Sequence, residues 1–226
     1  MLVAVLSDIH ANLAALDAAL AELERRGADA IVVAGDLVGD GPDPAGVVAL
    51  LRRKGFRTVR GNVDDKVTEL AALPRDAQAA LLEKRKKADL VRSARALGRA
   101  DLEWIRKLPE SLRLDFEGRR MLLVHGSPLG STDYVFPSIT PQALAAKLGA
   151  ERPDVLACGH SHIPFARRIG GVTVVNAGSV GRPVDGDPRG AYALVEITRG
   201  RPPRARIVRF PFPAPELPVP ASVRHQ

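Results

Sequence analysis

Three short apolar runs alternate with two helical patterns near the N-terminus, and this order leaves few folds open. The apolar runs cover Leu2–Ser7, Ala30–Ala34 and Arg57–Arg60, and each has the length of a buried strand. Between them, Asn12–Arg26 carries leucines at helical spacing and Asp43–Lys54 has proline in its first turn, and a glycine follows each segment. The alternation of strand and helix predicts an α/β fold with right-handed crossovers and a parallel sheet.

Each of these strands is followed by polar side chains that can bind a metal ion. Asp8 and His10 follow the first strand, Asp36 the second and Asn62 the third. Because open α/β sheets place their sites at the carboxyl ends of the strands, we expect these side chains to meet. Further histidines stand beside glycine or serine at predicted strand ends in the second half. The candidate ligands are Asp8, His10, Asp36, Asn62, His125, His160 and His162.

The chemistry of this set predicts two metal ions. Residues at i and i+2 can project the same way, so Asp8 and His10 can bind one ion, while His160 and His162 share an ion or are split between two. Carboxylate, amide and imidazole ligands favour Mn²⁺, Fe, Zn²⁺ or Ni²⁺, with Mn²⁺ as the leading candidate. Seven ligands exceed one coordination sphere, which predicts a centre of two ions with Asp36 as the bridge.

The second half of the chain is mainly β in pattern, with one helix at Pro141–Leu148. Its predicted strands are Leu112–Phe116, Met121–Val124, Val155–Ala157, Ala166–Ile169, Val172–Val175, Ala191–Ile197 and Ala205–Phe210. We expect one domain over residues 1–210, followed by an extended proline-rich arm over residues 211–226 that carries no chemistry.

A charged helical segment at about residues 66–108 is predicted to be an insertion in this domain. Between Arg75 and Lys107 it has ten basic and five acidic residues, with four consecutive basic residues at Lys84–Lys87. Two interpretations stay open. The segment is either a solvated helix pair or a cap beside the site that helps to hold an anionic substrate.

The net charge of +7 also has two interpretations. A basic surface attracts nucleic acid, phosphorylated metabolites or anionic membranes. The excess of arginine (26 Arg against 7 Lys) also follows from a GC-rich genome alone. No aromatic residues are interleaved with the basic ones, so sequence-specific nucleic-acid binding is not predicted. The predicted partner is a phosphorylated small molecule or a nucleotide.

Neither a membrane span nor a disulfide is expected. The longest uncharged run is too short to cross a bilayer, and the apolar start is too short for the core of a signal peptide. Cys158 is the single cysteine, which fits a reducing compartment. It is predicted to be a small buried hydrophobe at a strand end rather than a metal ligand. We therefore expect a cytoplasmic protein.

The motifs resemble those of the calcineurin-like metallophosphoesterase superfamily, and they are closest to its small bacterial, phosphodiesterase-like branch. The matching blocks are Asp-x-His at 8–10, Gly-Asp-Leu-Val-Gly-Asp-Gly-Pro at 35–42, Gly-Asn-Val-Asp at 61–64, His-Gly-Ser-Pro at 125–128, Gly-His-Ser-His-Ile-Pro at 159–164 and Asn-Ala-Gly-Ser-Val-Gly at 176–181. The resemblance runs from about Met1 to about Phe210. It implies two stacked mixed β-sheets flanked by helices, an αββα four-layer sandwich, with a two-metal centre where the strands converge.

The resemblance also implies a role for each motif residue. One ion would take Asp8, His10, Asp36 and His162, and the other Asp36, Asn62, His125 and His160. His125 is also predicted to assist catalysis by neutralising charge on the phosphate. Asn12 and Arg182 are predicted to bind substrate, although Asn12 is equally explained as a helix cap and Arg182 as a surface residue. The hypothesis is phosphoester hydrolysis by a hydroxide held between two ions.

Val63 is the one departure from the family's motif. Many members carry His directly after the motif Asn, where it serves as general acid for the leaving alcohol, and Asp64 is assigned no catalytic role without it. A positioned acid contributes about 10²–10⁴ in rate, so its loss favours leaving groups that need little protonation. We therefore predict a phosphodiesterase. The alternatives are a non-catalytic binding protein with this fold and a nuclease that processes nucleic-acid ends.

Overall fold

The computed structural model describes residues 1–213, without the side chains of residues 85 and 86, and most of the predicted proline-rich arm lies outside this range. The strands are β1 (Leu2–Leu6), β2 (Ala30–Ala34), β3 (Arg57–Val59), β4 (Ser111–Phe116), β5 (Arg119–Val124), β6 (Val155–Cys158), β7 (Phe165–Ile169), β8 (Val172–Asn176), β9 (Gly190–Glu196) and β10 (Arg204–Phe210). The helices are α1 (Leu13–Arg26), α2 (Pro44–Lys54), α3 (Asn62–Ala71), α4 (Arg75–Leu82), α5 (Arg85–Ala96), α6 (Arg99–Lys107) and α7 (Pro141–Leu148).

These strands form two mixed sheets of five strands each. The first has the order β10-β9-β1-β2-β3, in which β1, β2 and β3 are parallel, β9 is antiparallel to β1, and β10 is antiparallel to β9. The second has the order β4-β5-β6-β8-β7, in which β5, β6 and β8 are parallel. The predicted parallel arrangement of the first three strands is confirmed.

Alternating side chains divide the interior into layers. In β1, Val3 and Val5 lie in the core between the two sheets, whereas Ala4 and Leu6 lie in the core between the first sheet and its helices. A third core joins the outer face of the second sheet to Leu144 of α7. The layers are therefore helices, sheet, sheet and helix, which is the four-layer sandwich that the motifs imply.

The charged segment forms four helices, α3 to α6, instead of a pair, and it begins at Asn62 instead of near residue 66. Asp64 accounts for the earlier start, because its carboxylate accepts the Gly61 N–H at 2.8 Å and caps the first turn. Leu97 and Ile105 lie in the helix-side core, so the segment packs against the body of the fold. A substrate-holding role for its basic residues stays a prediction.

Cys158 lies in the core, as its place at a strand end predicts. Cys158 ends β6 fully buried, and burial raises the pKa of its thiol to about 12. It therefore behaves as the predicted small hydrophobe.

Within residues 1–213, none of the helices combines the length and the apolar character that a membrane crossing requires.

Candidate two-metal site

The predicted ligands meet at the carboxyl ends of parallel strands from both sheets. The first sheet contributes ligands after β1, β2 and β3, and the second contributes them after β5 and β6. In chain order they are Asp8, His10, Asp36, Asn62, His125, His160 and His162. Six are buried and His160 is half-buried. The structure thus brings every predicted ligand to one place, from loops that are far apart in the chain.

The backbone is left-handed at five of these ligands. The φ angles are 54° at Asp8, 49° at His10, 52° at Asp36, 65° at His160 and 56° at His162. A residue with a Cβ is disfavoured in this region, and such strained positions cost about 1–3 kcal/mol each. They persist where the surrounding structure fixes them, and they cluster at binding sites. The rest of the fold therefore holds these side chains in an unfavourable but defined geometry.

Asp8, His10 and His162 form the first cluster, with ligand atoms within 4.8 Å of one another. Asp8 Oδ1 lies 3.0 Å from His162 Nε2 and 3.7 Å from His10 Nε2. The two Nε2 atoms lie 3.1 Å apart. His162 Nδ1 donates to the Arg182 carbonyl at 2.6 Å, which places the proton on Nδ1 and turns Nε2 toward the cluster.

Asp36, His125 and His160 form the second cluster, with the same 4.8 Å limit. His125 Nε2 lies 3.4 Å from Asp36 Oδ2 and 3.1 Å from Asn62 Oδ1, so Asn62 belongs to this cluster as well. His125 Nδ1 donates to the Ala34 carbonyl at 2.7 Å, which fixes the orientation of the ring. Both clusters therefore have a histidine whose outer nitrogen is bonded to a backbone carbonyl.

Asp36 lies between the two clusters. Its Oδ2 is 3.4 Å from His125 Nε2 in the second cluster and 3.8 Å from His10 Nε2 in the first. Its Oδ1 accepts the Val63 N–H at 2.8 Å. One oxygen is thus held by the backbone while the other faces both clusters, which is the geometry expected of a bridging carboxylate.

The electrostatics of the site keep both aspartates ionised. Burial opposes the charge of Asp8, but the neighbouring His10 and His162 outweigh burial and hold its pKa well below the usual value. Burial also opposes the charge of Asp36, and the positive His125 lowers the pKa of that carboxyl. Burial favours a neutral His125, yet Asp36 and Asp8 raise its pKa to about 10. A cation that binds here has to displace that proton, so its binding is coupled to proton release.

Two buried polar atoms test whether metal ions fit this site. With the His162 proton on Nδ1, Asp8 Oδ1 accepts no hydrogen bond from the described residues, and His160 Nε2 has no partner among them either. A buried carboxylate oxygen without a partner is costly unless a cation pairs with it. The donors in both clusters are carboxylate, amide and imidazole groups, which suit divalent transition metals. The residues present therefore fit two such ions, one in each cluster.

Gly61 and Gly159 allow backbone to approach the carboxylates closely. A Cβ at Gly159 would collide with Asp8 Oδ2 and with the Ser7 hydroxyl, and a Cβ at Gly61 would collide with Asp36 Oδ1. Neither glycine has a positive φ angle. The glycine that precedes the ligand in the Gly-Asn and Gly-His motifs is therefore required by lack of space, not by its backbone conformation.

Asn12 and Arg182, the predicted substrate-binding residues, lie beside the first cluster and have partners within the fold. Asn12 caps α1 through its Oδ1, and its Nδ2 donates to the Gly181 carbonyl at 3.1 Å. Arg182 pairs with Asp40 at 3.0 Å, and its side chain is about half exposed. Since these contacts position loops of the site, a role in binding substrate stays a prediction for both residues.

Asp64 has a positioning role that the sequence analysis missed. Its Oδ1 accepts the N–H groups of Leu37 and Val38 at 2.9 and 3.2 Å, and its Oδ2 accepts that of Gly61. Burial and the negative charge of Asp36 raise its pKa to about 7. This carboxyl group joins the loop after β2 to the loop after β3, and its place at the third position of a helix was the available signal.

Val63 presents an apolar side chain at the edge of the first cluster. Val63, His10 and Leu90 all surround Gly39. From the position that a Cβ would take at Gly39, Val63 Cγ1 lies 2.7 Å away, His10 Nδ1 3.4 Å and Leu90 Cδ2 3.7 Å. Helix α5 therefore covers the surroundings of this residue through Leu90. No proton donor is present at position 63, as the sequence indicates.

Tyr134 and Phe136 are aromatic neighbours of the second cluster that the sequence analysis also missed. The Tyr134 ring stacks on the ring of His160, with centroids 4.3 Å apart and planes inclined by 27°. No sequence pattern links these residues to His160, because the contact is made only by the fold.

Comparison with known proteins gives the family. A family model for the calcineurin-like phosphoesterase superfamily domain matches residues 1–200. Phosphodiesterase YfcE of Escherichia coli is 28% identical over 203 residues, which are 84% of each chain. An uncharacterized protein of Methanocaldococcus jannaschii is 27% identical over 212 residues, which are 86% of this chain and 82% of that protein.

A solved structure agrees with this assignment. The crystal structure of a metallophosphoesterase from Sphaerobacter thermophilus superposes with a TM-score of 0.77 at 26% identity, over 94% of this chain and 89% of that one. The resemblance inferred from the motifs is thus confirmed by the family model and by these relatives. The chain belongs to the calcineurin-like phosphoesterase superfamily.

Proposed function

We propose that this protein hydrolyses phosphodiesters at a centre of two divalent metal ions, with Mn²⁺ as the preferred ion. One ion would be held by Asp8, His10, Asp36 and His162, and the other by Asp36, Asn62, His125 and His160. When bound, such ions activate water as a nucleophile and neutralise charge on the phosphate. The observation that carries the proposal is Asp36 Oδ2, which lies within 3.8 Å of a histidine nitrogen in each cluster.

The protein's own groups orient the ligands. The Ala34 and Arg182 carbonyls keep the protons of His125 and His162 on Nδ1, so both Nε2 atoms face the clusters. His125 is also proposed as a catalytic residue that helps to neutralise the developing charge on the phosphate. Since all seven ligand positions are filled by residues that can bind metal, an enzyme is favoured over a binding protein with a degraded site.

Val63 supports phosphodiesters as the substrate class. An apolar side chain at this position donates no proton, so the leaving oxygen departs with little help from the protein. Leaving groups of low pKa, as in aryl and nucleotide diesters, tolerate this best. The relative named phosphodiesterase YfcE is in keeping with the proposal. A phosphorylated small molecule or nucleotide is the proposed substrate.

The preference between esters tests this proposal. Protein loaded with Mn²⁺ should hydrolyse bis(4-nitrophenyl) phosphate much faster than glycerol 1-phosphate, because 4-nitrophenolate leaves without protonation and glycerol does not. Release of 4-nitrophenol and of inorganic phosphate measures the two rates on the same sample. Equal rates would mean that another residue supplies the proton. Absence of both reactions in protein with a full metal complement would favour the non-catalytic alternative.

A further inference from the structure

Two large aromatic side chains are exposed beside the second cluster. Tyr134 is 45% exposed and Phe136 is 42% exposed. Their rings are stacked, with centroids 5.2 Å apart and planes inclined by only 9°. Tyr134 also stacks on His160, so the three rings form a continuous aromatic group that starts at a proposed metal ligand and extends toward solvent. We call Tyr134 and Phe136 the aromatic platform.

The segment that carries the platform is anchored on its other side. Val135, between the two aromatic residues, is fully buried in the core beneath the second sheet. Asp133, directly before the platform, pairs with Lys147 at 2.5 Å and accepts a hydrogen bond from Ser127. Val135 is buried while the rings on either side of it are exposed and stacked on each other, so both neighbours of Val135 lie on the solvent side of the segment. The exposure of the rings is therefore fixed by the fold and is not a fraying of the loop.

A stacked aromatic pair in water is suited to one class of ligand. Planar aromatic groups stack on exposed rings, and base stacking on an aromatic side chain contributes about 1–3 kcal/mol per base. The platform lies one side chain away from the proposed metal centre through His160. A nucleoside 5′-phosphate likewise places its base one sugar away from its phosphate. The exposed surface consists of two nearly parallel rings, which favours a flat nucleobase over an extended apolar chain.

We propose that Tyr134 and Phe136 bind the nucleobase of a nucleotide diester while its phosphate lies at the proposed metal centre. This inference rests on the proposed function, and it deepens it by naming the nucleoside as the group that the site selects. The two rings would contact the flat face of the base and would make no hydrogen bonds to its edge. Preference for one base over another is therefore expected to be weak.

Two diesters with the same leaving group give a direct test. Thymidine 5′-(4-nitrophenyl phosphate) and methyl 4-nitrophenyl phosphate both release 4-nitrophenolate and differ in the group that the platform would bind. In the wild type the thymidine ester should have the higher kcat/KM. Phe136→Leu should lower the ratio of the two kcat/KM values by about 5- to 150-fold, mainly through the KM of the thymidine ester.

Matched variants separate binding from support of His160. Tyr134→Phe keeps the stacking ring and should keep the ratio, whereas Tyr134→Leu should lower it. Leu73→Ala removes an exposed hydrophobic side chain in the helical segment and should leave the ratio unchanged. If Tyr134→Leu and Phe136→Leu reduce kcat for both esters alike and keep the ratio, the rings only support the site and the inference is wrong.

Binding without turnover keeps this test independent of the proposed function. If neither ester is hydrolysed, the proposed function fails. The affinities of metal-free protein for AMP and for ribose 5-phosphate are then measured by calorimetry to test the platform. The inference expects the wild type to bind AMP more tightly than ribose 5-phosphate, and Phe136→Leu to remove the difference. Equal affinities for the two compounds in the wild type would overturn it.

Discussion

Replacement of Asp36 by Asn should remove both metal ions, not one. Asp36 Oδ1 accepts the Val63 N–H, so the oxygen of an asparagine is expected to keep that place. The amide nitrogen would then replace Oδ2, the atom that faces His10 and His125. An amide nitrogen is uncharged and cannot bind a metal ion, and both clusters lose a ligand in one substitution. Hydrolysis of aryl diesters should fall with the metal content.

The expected loss is large because Asp36 is proposed to be a direct ligand of both ions. Loss of a residue that only hydrogen-bonds to a metal ligand lowers metal affinity or activity by about 10–100-fold, and we expect Asp36→Asn to exceed this. Metal analysis after dialysis measures the effect. Asp43→Asn is the matched control, since it makes the same chemical change at the cap of α2, where Asn caps as well as Asp. Loss of a single ion in Asp36→Asn would contradict the bridging role.

Replacement of Val63 by His should widen the range of leaving groups. A histidine there places a proton donor beside His10, at the edge of the first cluster. Turnover of glycerol 1-phosphate should rise, by at most the about 10²–10⁴ that acid catalysis contributes. Turnover of 4-nitrophenyl phosphate should change little, because 4-nitrophenolate leaves unaided. Steady-state kinetics of the two monoesters on Mn²⁺-loaded protein give the comparison.

A second variant at the same position separates the proton from the polarity of the side chain. Val63→Asn introduces a polar group that donates no proton at neutral pH, so it should not raise turnover of the alkyl ester. The pH profile of Val63→His should gain a limb that falls at high pH as the imidazolium loses its proton. If folded, metal-loaded Val63→His treats the alkyl ester as the wild type does, position 63 does not determine the leaving-group preference.

The proximity of the candidate ligands could be predicted because each stands where a strand ends. The runs Leu2–Ser7 and Ala30–Ala34 read as buried strands, and Asp8 and Asp36 follow them within two residues. Parallel strands bring their carboxyl ends to one edge, so proximity followed from the order of elements. The second sheet followed only from the family resemblance, because β5, β6 and β8 pair across long connections that periodicity does not reveal.

What the sequence could not reveal depends on contacts between distant loops. The left-handed backbone at His10 and His160 is imposed by the packing around them, and residue type alone does not predict it. The role of Asp64 arises because two loops meet over it. Tyr134 and Phe136 lie in no predicted strand or motif, and only the fold places Tyr134 against His160. The number of helices in the charged segment was missed although Pro74 and Gly98, which precede α4 and α6, are boundary signals in the sequence.

The stoichiometry of bound metal tests the two-ion centre most directly. Metal-free protein would be titrated with Mn²⁺ under calorimetry, and bound metal counted per folded chain after removal of the excess. The geometry around Asp36 predicts two ions per chain, and hydrolysis of bis(4-nitrophenyl) phosphate that appears as both sites fill. One ion or none per chain, in protein shown to be folded, would contradict a centre bridged by Asp36.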